Sequence, residues 1–326
     1  MYVGIDKRHS SDRNILFVIL VVVTIVCWWH QLIALLMLAY GNEKYSYILL
    51  ILPVSLVLIL REARGHAVRE TFTPLPGLTL IVAALLVWVE GVQIKDGESA
   101  LAVSISCLVA CWLGFVMLFY GTYAVRQLLF PLLFLFLIVP IPQVLVDKGI
   151  FALQMGSSDV TYWLFRWTGV PVLKHGFILS LPTLEIEVAN QCSGIRSLLM
   201  LFLSSLILGH LYLRSHWAKA LFVFAAIPFA IAKNAIRIFA LSMLGMEADP
   251  SFLAGRLHHD GGIVFFVLTL AGMVILLKGL QKVERRTRGR TLPLSVLDSF
   301  SMTSRIDLAE QPQRRMQCTE GIREGR

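Results

Sequence analysis

The stretch that decides the fold runs from Val188 to Tyr212 and reads VANQCSGIRSLLMLFLSSLILGHLY. It opens with polar residues around Cys192 and then becomes an apolar run. A hydrocarbon core of about 30 Å needs about 20 apolar residues in a helix, so the run predicts a transmembrane span. The position of Cys192 and Arg196 at the entrance to this span needs a chemical explanation.

Apolar runs of this kind recur along most of the chain. Hydrophobic residues make up 57% of the 326 residues and charged residues 15%, and the mean hydropathy is +0.73. Soluble globular domains are less apolar and more charged. The sequence therefore predicts an all-α polytopic membrane protein with about eight transmembrane helices. The predicted spans are Asn14–Tyr40, Tyr45–Leu60, Leu78–Val92, Ser99–Tyr120, Gln127–Val146, Ser193–Tyr212, Ala218–Leu244 and Gly262–Leu280.

The positive charges set the predicted orientation of these spans. Basic residues precede the first span and follow every second one, at positions such as Lys7, Arg61, Arg126, Arg214 and Lys282. Connections rich in Lys and Arg stay on the cytoplasmic side of a membrane. We therefore expect a multi-pass membrane protein with both termini in the cytoplasm. The same rule accounts for the net charge of +8, so no nucleic-acid partner is predicted.

The longest connection, Asp147–Cys192, then lies on the outer face. Its first half, FALQMGSSDVTYWLFRW, has aromatic and polar faces at helical spacing, which predicts a helix in the membrane interface. Its second half contains LPTLEIEVA, in which apolar residues alternate with Glu185 and Glu187, and this period predicts a short hairpin against FILS. The two glutamates could be acid/base groups, but the alternation favours a solvated strand face.

Two regions of different composition divide the chain. Residues 1–282 form the predicted membrane domain, and residues 283–326 form a polar cytoplasmic tail that we expect to be disordered. The cysteines show no pattern of paired disulfides, because Cys27, Cys107 and Cys111 lie in apolar runs and Cys318 lies in the tail.

Cys192 is the cysteine with a position suited to chemistry. It stands at the outer end of its predicted span, with Gly194 allowing close approach and Arg196 one helical turn deeper on the same face. A thiol is a nucleophile as its thiolate, and a helix N-terminus or a guanidinium favours that form. The alternative is that Cys192 fills space and Arg196 extends to the headgroups.

Two further polar groups are predicted on the same side of the membrane. Asn234 and Arg237 share one face of the seventh span, and a guanidinium at membrane depth is costly unless it faces protein or water. Arg237 could take part in catalysis, or it could hold neighbouring helices together by hydrogen bonds. Lys233 is expected to extend to the membrane surface. His258 and His259 directly precede the last span, which we expect to start near Gly261.

At these residues a family resemblance can be stated. The segments CSGIRSL, NAIR and HHDGG, in this order, resemble the three signature motifs of the exosortase/archaeosortase family of integral membrane cysteine transpeptidases. The segments LIVPIPQ and GVPVLKHGFILSLPTLEIEVANQ resemble the chain that precedes the cysteine in that family. The resemblance covers residues 45–280.

The resemblance implies a thiol enzyme that acts on secreted proteins with a C-terminal sorting tail. In bacterial partners this tail is a short Pro-Glu-Pro-type (PEP-CTERM-like) motif, a membrane helix and a basic cluster. Cys192 would form an acyl-enzyme, Arg237 would stabilise the oxyanion or orient the thiolate, and His258 would act as acid and base, with His259 as the alternate. Supporting roles would fall to Ser193, Gly194, Arg196 and Asn234. The acceptor is unknown, and a lipid- or polysaccharide-linked group would suit transfer.

Within that resemblance, spacing favours His258 over His259. The family pattern aligns best when the histidine stands four residues before a glycine that precedes two aromatic residues. His258 has this relation to Gly262, Phe265 and Phe266. If the last helix starts near Gly261, both imidazoles lie in the loop and Asp260 could cap the helix.

Other classes of membrane protein remain open on residue chemistry alone. A transporter could use Arg237 as an outer-face anion site, although its charges would then be expected near the midplane. A thiol redox protein would need a second outer-face cysteine. A metal peptidase would need more ligands than His258, His259 and Asp260, so neither a metal nor a cofactor is predicted.

Overall fold

The computed structural model describes residues 7–65, 74–91, 93–94, 96–188, 194–247 and 256–290. Most of these residues are helical. The helices are α1 (Lys7–Cys27), α2 (Trp29–Gly41), α3 (Ile48–Gly65), α4 (Pro74–Gly91), α5 (Gly97–Gln127), α6 (Leu129–Leu135), α7 (Gln143–Trp167), α8 (Ile195–Tyr212), α9 (His216–Glu247) and α10 (Arg256–Arg290). Short 3₁₀ turns cover Glu43–Tyr45 and Phe136–Ile138.

The predicted class of an all-α polytopic membrane protein is confirmed. Among the described residues, six helices are long and apolar enough to cross a membrane, and the number is up to eight if each of two bent helix pairs is one span. Many large apolar side chains, among them Met37, Leu75, Phe224 and Ile275, are exposed on the outside of the helices. Lipid would cover such a surface.

The first predicted span is bent by 70° between α1 and α2. Trp28 stands at the break and is buried, and its indole Nε1 donates a hydrogen bond of 3.0 Å to the carbonyl oxygen of Ser104 in α5. Its ring also lies against Trp88 of α4, with 4.6 Å between the ring centroids. These tertiary contacts fix a bend that a continuous apolar run does not reveal.

The fifth predicted span is broken in the same way. Helix α6 and the following 3₁₀ turn end at Ile138, and α7 begins at Gln143 with a bend of 93°. The intervening Pro140 and Pro142 lack backbone N–H donors and disfavour helix at the residues before them, which explains the break. Residues 129–138 would reach about 15 Å as a helix, which is too short to cross alone.

Helix α9 is the centre of the second half of the fold. It packs against α7, α8 and α10. One buried cluster, which includes Leu201, Phe222 and Met273, joins α8, α9 and α10. Near the C-terminal end of α8, His210 Nε2 lies 2.6 Å from Glu62 Oε1 and the His210 ring stacks on Phe130, which ties α8 to α3 and α6.

A small antiparallel sheet follows α7. Its strands are β1 (Leu173–His175), β2 (Ile178–Ser180) and β3 (Glu185–Glu187), in the order β1-β2-β3. The predicted hairpin is confirmed, because β2 pairs with β3 in the register Leu179↔Ile186. Glu185 and Glu187 are exposed, as expected for the solvated face. Strand β1 was not predicted.

Helix α7 differs from the predicted interfacial helix in what its polar face contacts. Residues 151–167 are helical, as predicted. However, four polar side chains on one face of α7 are only 0–5% exposed. They stand at positions i, i+3, i+4 and i+7 and are Gln154, Ser157, Ser158 and Thr161. They face protein instead of water, because α7 packs against α9 and β2.

The last helix is longer at both ends than the predicted span. Helix α10 begins at Arg256, so His258, His259 and Asp260 belong to its first turns, and the predicted start near Gly261 is wrong. Asp260 is therefore not at the capping position. The helix continues to Arg290, past the predicted domain boundary at Val283, while residues 291–326 lie outside the described residues.

Candidate active site

Three polar residues stand close together in the apolar helix α9. They are Lys233, Asn234 and Arg237. Lys233 is 5% exposed and Asn234 is 1% exposed, while Arg237 is half-buried. Because a helix repeats every 3.6 residues, Arg237 lies one turn along from both of the others. The site is built outward from this turn.

Lys233 Nζ donates a hydrogen bond of 2.6 Å to Ser197 Oγ of α8. The expectation that Lys233 extends to the membrane surface is therefore wrong, because its side chain is buried between two helices. The contact joins α9 to the first turn of α8. It places a basic residue and a hydroxyl close to the chain that enters α8, and neither residue was among the predicted site residues.

Asn234 connects α9 to the buried polar face of α7. Its Nδ2 donates a hydrogen bond of 3.1 Å to Ser157 Oγ. Thr161 Oγ1 in turn donates to the carbonyl oxygen of Ser157 at 2.7 Å. Gln154 Nε2 donates to the carbonyl oxygen of Val188 at 2.7 Å, just after β3. This polar layer holds α7, α9 and the end of β3 in a fixed relation.

Gly194 caps the N-terminus of α8 in the left-handed region, with φ 77° and ψ 14°. A Cβ added there would lie 3.6 Å from Cγ of Asn234, so the start of α8 lies directly against α9. Cys192 and Ser193 precede Gly194 in the sequence and lie outside the described residues. The structure thus brings together two of the predicted supporting residues, Gly194 and Asn234.

Arg196 makes a contact away from this group. Its Nη1 lies 3.1 Å from Glu43 Oε2, and both side chains are largely exposed. Exposed ion pairs of this kind contribute little to stability. Among the described residues, Arg237 and not Arg196 lines the cavity beside β3.

A cavity of about 240 Å³ lies between β3 and α9. The whole of β3 lines one side of the cavity. One face of α9 lines the other side, with Asn234, Arg237, Ile238 and Leu241. The polar residues of the lining are Glu185, Glu187, Asn234, Arg237 and Ser242, and the other five residues are apolar. A larger cavity of about 640 Å³ lies at the opposite end of α8 and α10, around Arg214 and Glu284, and shares none of these residues.

The two histidines occupy adjacent positions of α10, so the two backbone positions lie about 100° apart around the helix axis. Residue 258 shares its face with residues 262, 265, 269 and 272. Gly272 marks that face as close to α9, because a Cβ added there would lie 2.8 Å from Cε1 of Phe229. Residue 259 shares its face with Phe266 and Met273, which pack on the cluster common to α8, α9 and α10.

No metal centre emerges from the residues that the structure describes. Within those ranges, no group of three His, Cys, Asp or Glu side chains could hold a metal ion. Cys27, Cys107 and Cys111 are free thiols, and the last two are buried in α5 far along the chain from the site.

Comparison with known proteins decides the family. A model of the transmembrane exosortases matches residues 28–275. The chain belongs to the transmembrane exosortase family. This match confirms the predicted resemblance and covers every candidate site residue. The family supports a membrane transpeptidase role on sorting tails in general. Neither the curated proteins nor the solved structures gave a significant match.

Sequence reasoning missed several polar residues that pack around the candidate site. Gln154, Ser157, Ser158 and Thr161 repeat at i, i+3, i+4 and i+7, which is the signal of a polar helix face. That periodicity cannot tell a face against water from a face against other polar side chains. Ser197 carried no signal of its own, since serine occurs widely in membrane helices.

Proposed function

We propose that this chain is a membrane cysteine transpeptidase that cleaves the C-terminal sorting tails of secreted proteins. The observation that carries the proposal is the position of Asn234 and Arg237. Both line the cavity beside β3, and Asn234 lies against Gly194, two residues after Cys192 in the sequence. A peptide in this cavity would be close to the chain that holds the thiol and to the guanidinium of Arg237.

In the proposed reaction, the Cys192 thiolate attacks a peptide carbonyl near the Pro-Glu-Pro-type motif of the tail. The guanidinium of Arg237 stabilises the negative charge that develops on the carbonyl oxygen. The C–N bond breaks as His258 protonates the leaving amine, and a thioester to Cys192 remains. The acceptor then loses a proton to His258 and attacks the thioester, which releases the Cys192 thiolate and forms the new bond.

The proposed place of the reaction is the outer face of the bacterial inner membrane, with both termini in the cytoplasm. Reporter fusions test this orientation. A phosphatase that is active outside the cytoplasm should work when fused after Thr183 and fail when fused after Arg290. A cytoplasmic signal from the fusion after Thr183 would place Cys192 on the wrong side for secreted substrates and refute the proposal.

The thiol is tested by co-expression with a secreted reporter that carries a Pro-Glu-Pro-type tail, a membrane helix and a basic cluster. We expect the wild type to shorten the reporter and Cys192→Ala to leave it intact at equal expression. Cys27→Ala, Cys107→Ala, Cys111→Ala and Cys318→Ala are the matched controls and should all process it. Normal processing by Cys192→Ala would refute the thiol mechanism, and no processing by the wild type would favour the alternative, a transporter with an anion site at Arg237.

The role of Arg237 is tested by a conservative change. Arg237→Lys keeps the positive charge but loses the planar set of donors, so we expect a loss of processing of at least tenfold. A helix clamp would also be weakened by Arg237→Lys, so the apparent melting temperature in detergent is measured in parallel. Reduced processing at an unchanged melting temperature supports the oxyanion role, whereas full activity of the lysine variant contradicts it.

A further inference from the structure

The sheet next to the candidate site has one edge that faces the cavity. The strand order β1-β2-β3 makes β3 an edge strand, and no described strand pairs with its outer side. Leu181 and Leu184 exchange backbone hydrogen bonds of 2.8 and 3.4 Å, and Val188 N–H donates to Phe177 at 3.0 Å. These bonds fix which residues of β3 face β2.

The register determines where the remaining backbone groups of β3 point. In an antiparallel pair, successive residues direct their N–H and C=O alternately toward and away from the partner strand. Because Leu184, Ile186 and Val188 face β2, the N–H and C=O groups of Glu185 and Glu187 face the outer edge. The edge therefore offers two donors and two acceptors.

The neighbouring cavity gives this edge a specific environment. It lies between β3 and one face of α9, with Arg237 and Asn234 among its lining residues. Leu184, Ile186, Ile238 and Leu241 supply an apolar lining. A backbone that lay along β3 would thus run past a guanidinium and these apolar residues. The exposed carboxylates of Glu185 and Glu187 also line the cavity and would discourage unspecific strand pairing.

We propose that the free edge of β3 binds the substrate polypeptide as a fourth strand, in extended conformation, and so leads its backbone past Arg237. The proposal rests on the proposed function in that the bound segment belongs to the tail that is cleaved. Strand addition of this kind takes its affinity from main-chain hydrogen bonds and its selectivity from pockets for alternate side chains.

The short length of the edge sets a requirement on the bound segment. In a parallel pairing, one residue donates its N–H to the Glu185 carbonyl and accepts from the Glu187 N–H. The two residues that flank it direct their backbone groups away from β3. The flanking positions therefore accept proline, which has no N–H, whereas the central position requires a free N–H. In an antiparallel pairing, the residue opposite Glu185 or Glu187 has the same requirement.

Photo-crosslinking in the full-length protein tests this edge directly. A photoreactive phenylalanine analogue is placed at Glu185 or Glu187 on the β3 edge, or at Leu173 on the β1 edge, in the Cys192→Ala background that retains the tail-bearing reporter. We expect crosslinks to the tail from the β3 positions and at least tenfold fewer from Leu173, which is 68% exposed. Equal crosslinking from both edges, or none from β3, overturns the proposal.

A pair of substitutions at one position gives a second measurement. Glu187→Pro removes the outward backbone N–H, while Glu187→Ala removes the side chain and keeps that N–H. Comparison of the two variants therefore separates the effect of the backbone N–H from the effect of the carboxylate. We expect Glu187→Pro to slow processing of the reporter about tenfold relative to Glu187→Ala. Equal rates would overturn strand addition and leave the thiol mechanism intact. Failure of the wild type to process the reporter would refute the proposed function instead.

Discussion

Lys233 Nζ and Ser197 Oγ are 2.6 Å apart in a partly buried contact between α9 and α8. The pair lies one helical turn from Arg237 and next to the first turn of α8, which begins at Ile195. A buried amino group needs hydrogen-bond acceptors, and removal of one leaves a cost that water cannot offset. The contact therefore makes the relation between α8 and α9 sensitive to either residue.

A double-mutant cycle tests this coupling. Ser197→Ala leaves the Lys233 amino group with one acceptor fewer, so we expect a loss of about 1–3 kcal/mol of stability. Lys233→Met removes the buried polar group, and we expect the double variant to be more stable than Ser197→Ala alone. Thermal unfolding in detergent gives the four values. Additive effects of the two changes would show that the residues do not interact.

The contact also shows why the depth of a residue in a span does not determine its surroundings. Lys233 was expected to reach the membrane surface because long basic side chains often do so. The hydroxyl that binds it stands on another helix, and nothing in the sequence pairs position 197 with position 233. Arg237 and Asn234 were found because polar residues in an apolar helix are costly and hence noticeable.

In the fold as well, features with a local cause in the sequence could be predicted, and features that depend on residues distant in the sequence could not. The hairpin was predictable because the alternation of Glu185, Ile186 and Glu187 is a local signal, and the break before α7 has a local cause in Pro140 and Pro142. The bend at Trp28 depends on Ser104 and Trp88, which are distant in sequence. Distant contacts of this kind leave no periodic pattern in the sequence.

Gly194 provides a prediction about the start of α8. Its φ of 77° lies in the left-handed region, where a Cβ costs about 1–2 kcal/mol. We expect Gly194→Ala to lower the melting temperature or to shift the start of α8, and in either case to reduce processing. The matched control is Gly149→Ala in α7, where an added Cβ would meet no atom closer than 3.7 Å and helix propensity favours alanine. Comparable losses in both variants would contradict a specific role of the left-handed cap.

Asp96 caps the N-terminus of α5 and provides a prediction about pH. Its carboxylate accepts a hydrogen bond from the Ser99 hydroxyl and another from the Ser99 N–H at 3.2 Å, and these bonds lower the pKa of Asp96. A lowered pKa means that the cap stabilises the fold above the ordinary pKa of an aspartate and that this contribution is lost as the pH falls through the lowered value. Asp96→Ala should therefore melt below the wild type at neutral pH, and the difference should shrink on acidification.

The control for this prediction is Asp96→Asn, because an asparagine also caps a helix but does not titrate. Its melting temperature relative to Asp96→Ala should change little with pH in the acidic range. A difference between wild type and Asp96→Ala that stays constant down to strongly acidic pH would show that the carboxylate does not contribute through its charge.

The last prediction distinguishes the two histidines of α10. Both positions lie in the first turns of the helix and not in the loop before it. Residue 258 shares its face with Gly272 and residue 259 shares its face with Met273, and both faces pack on α9, so packing does not separate the two positions. The spacing to Gly262, Phe265 and Phe266 fits the family pattern at position 258. We therefore expect His258→Ala to abolish processing of the tail-bearing reporter, and His259→Ala to reduce it without abolishing it. His258→Gln and His259→Gln keep a hydrogen-bonding side chain but cannot transfer a proton in the same way, so His258→Gln should be inactive and His259→Gln close to wild type. The reverse pattern would assign proton transfer to His259, and full activity of all four variants would remove histidine from the mechanism.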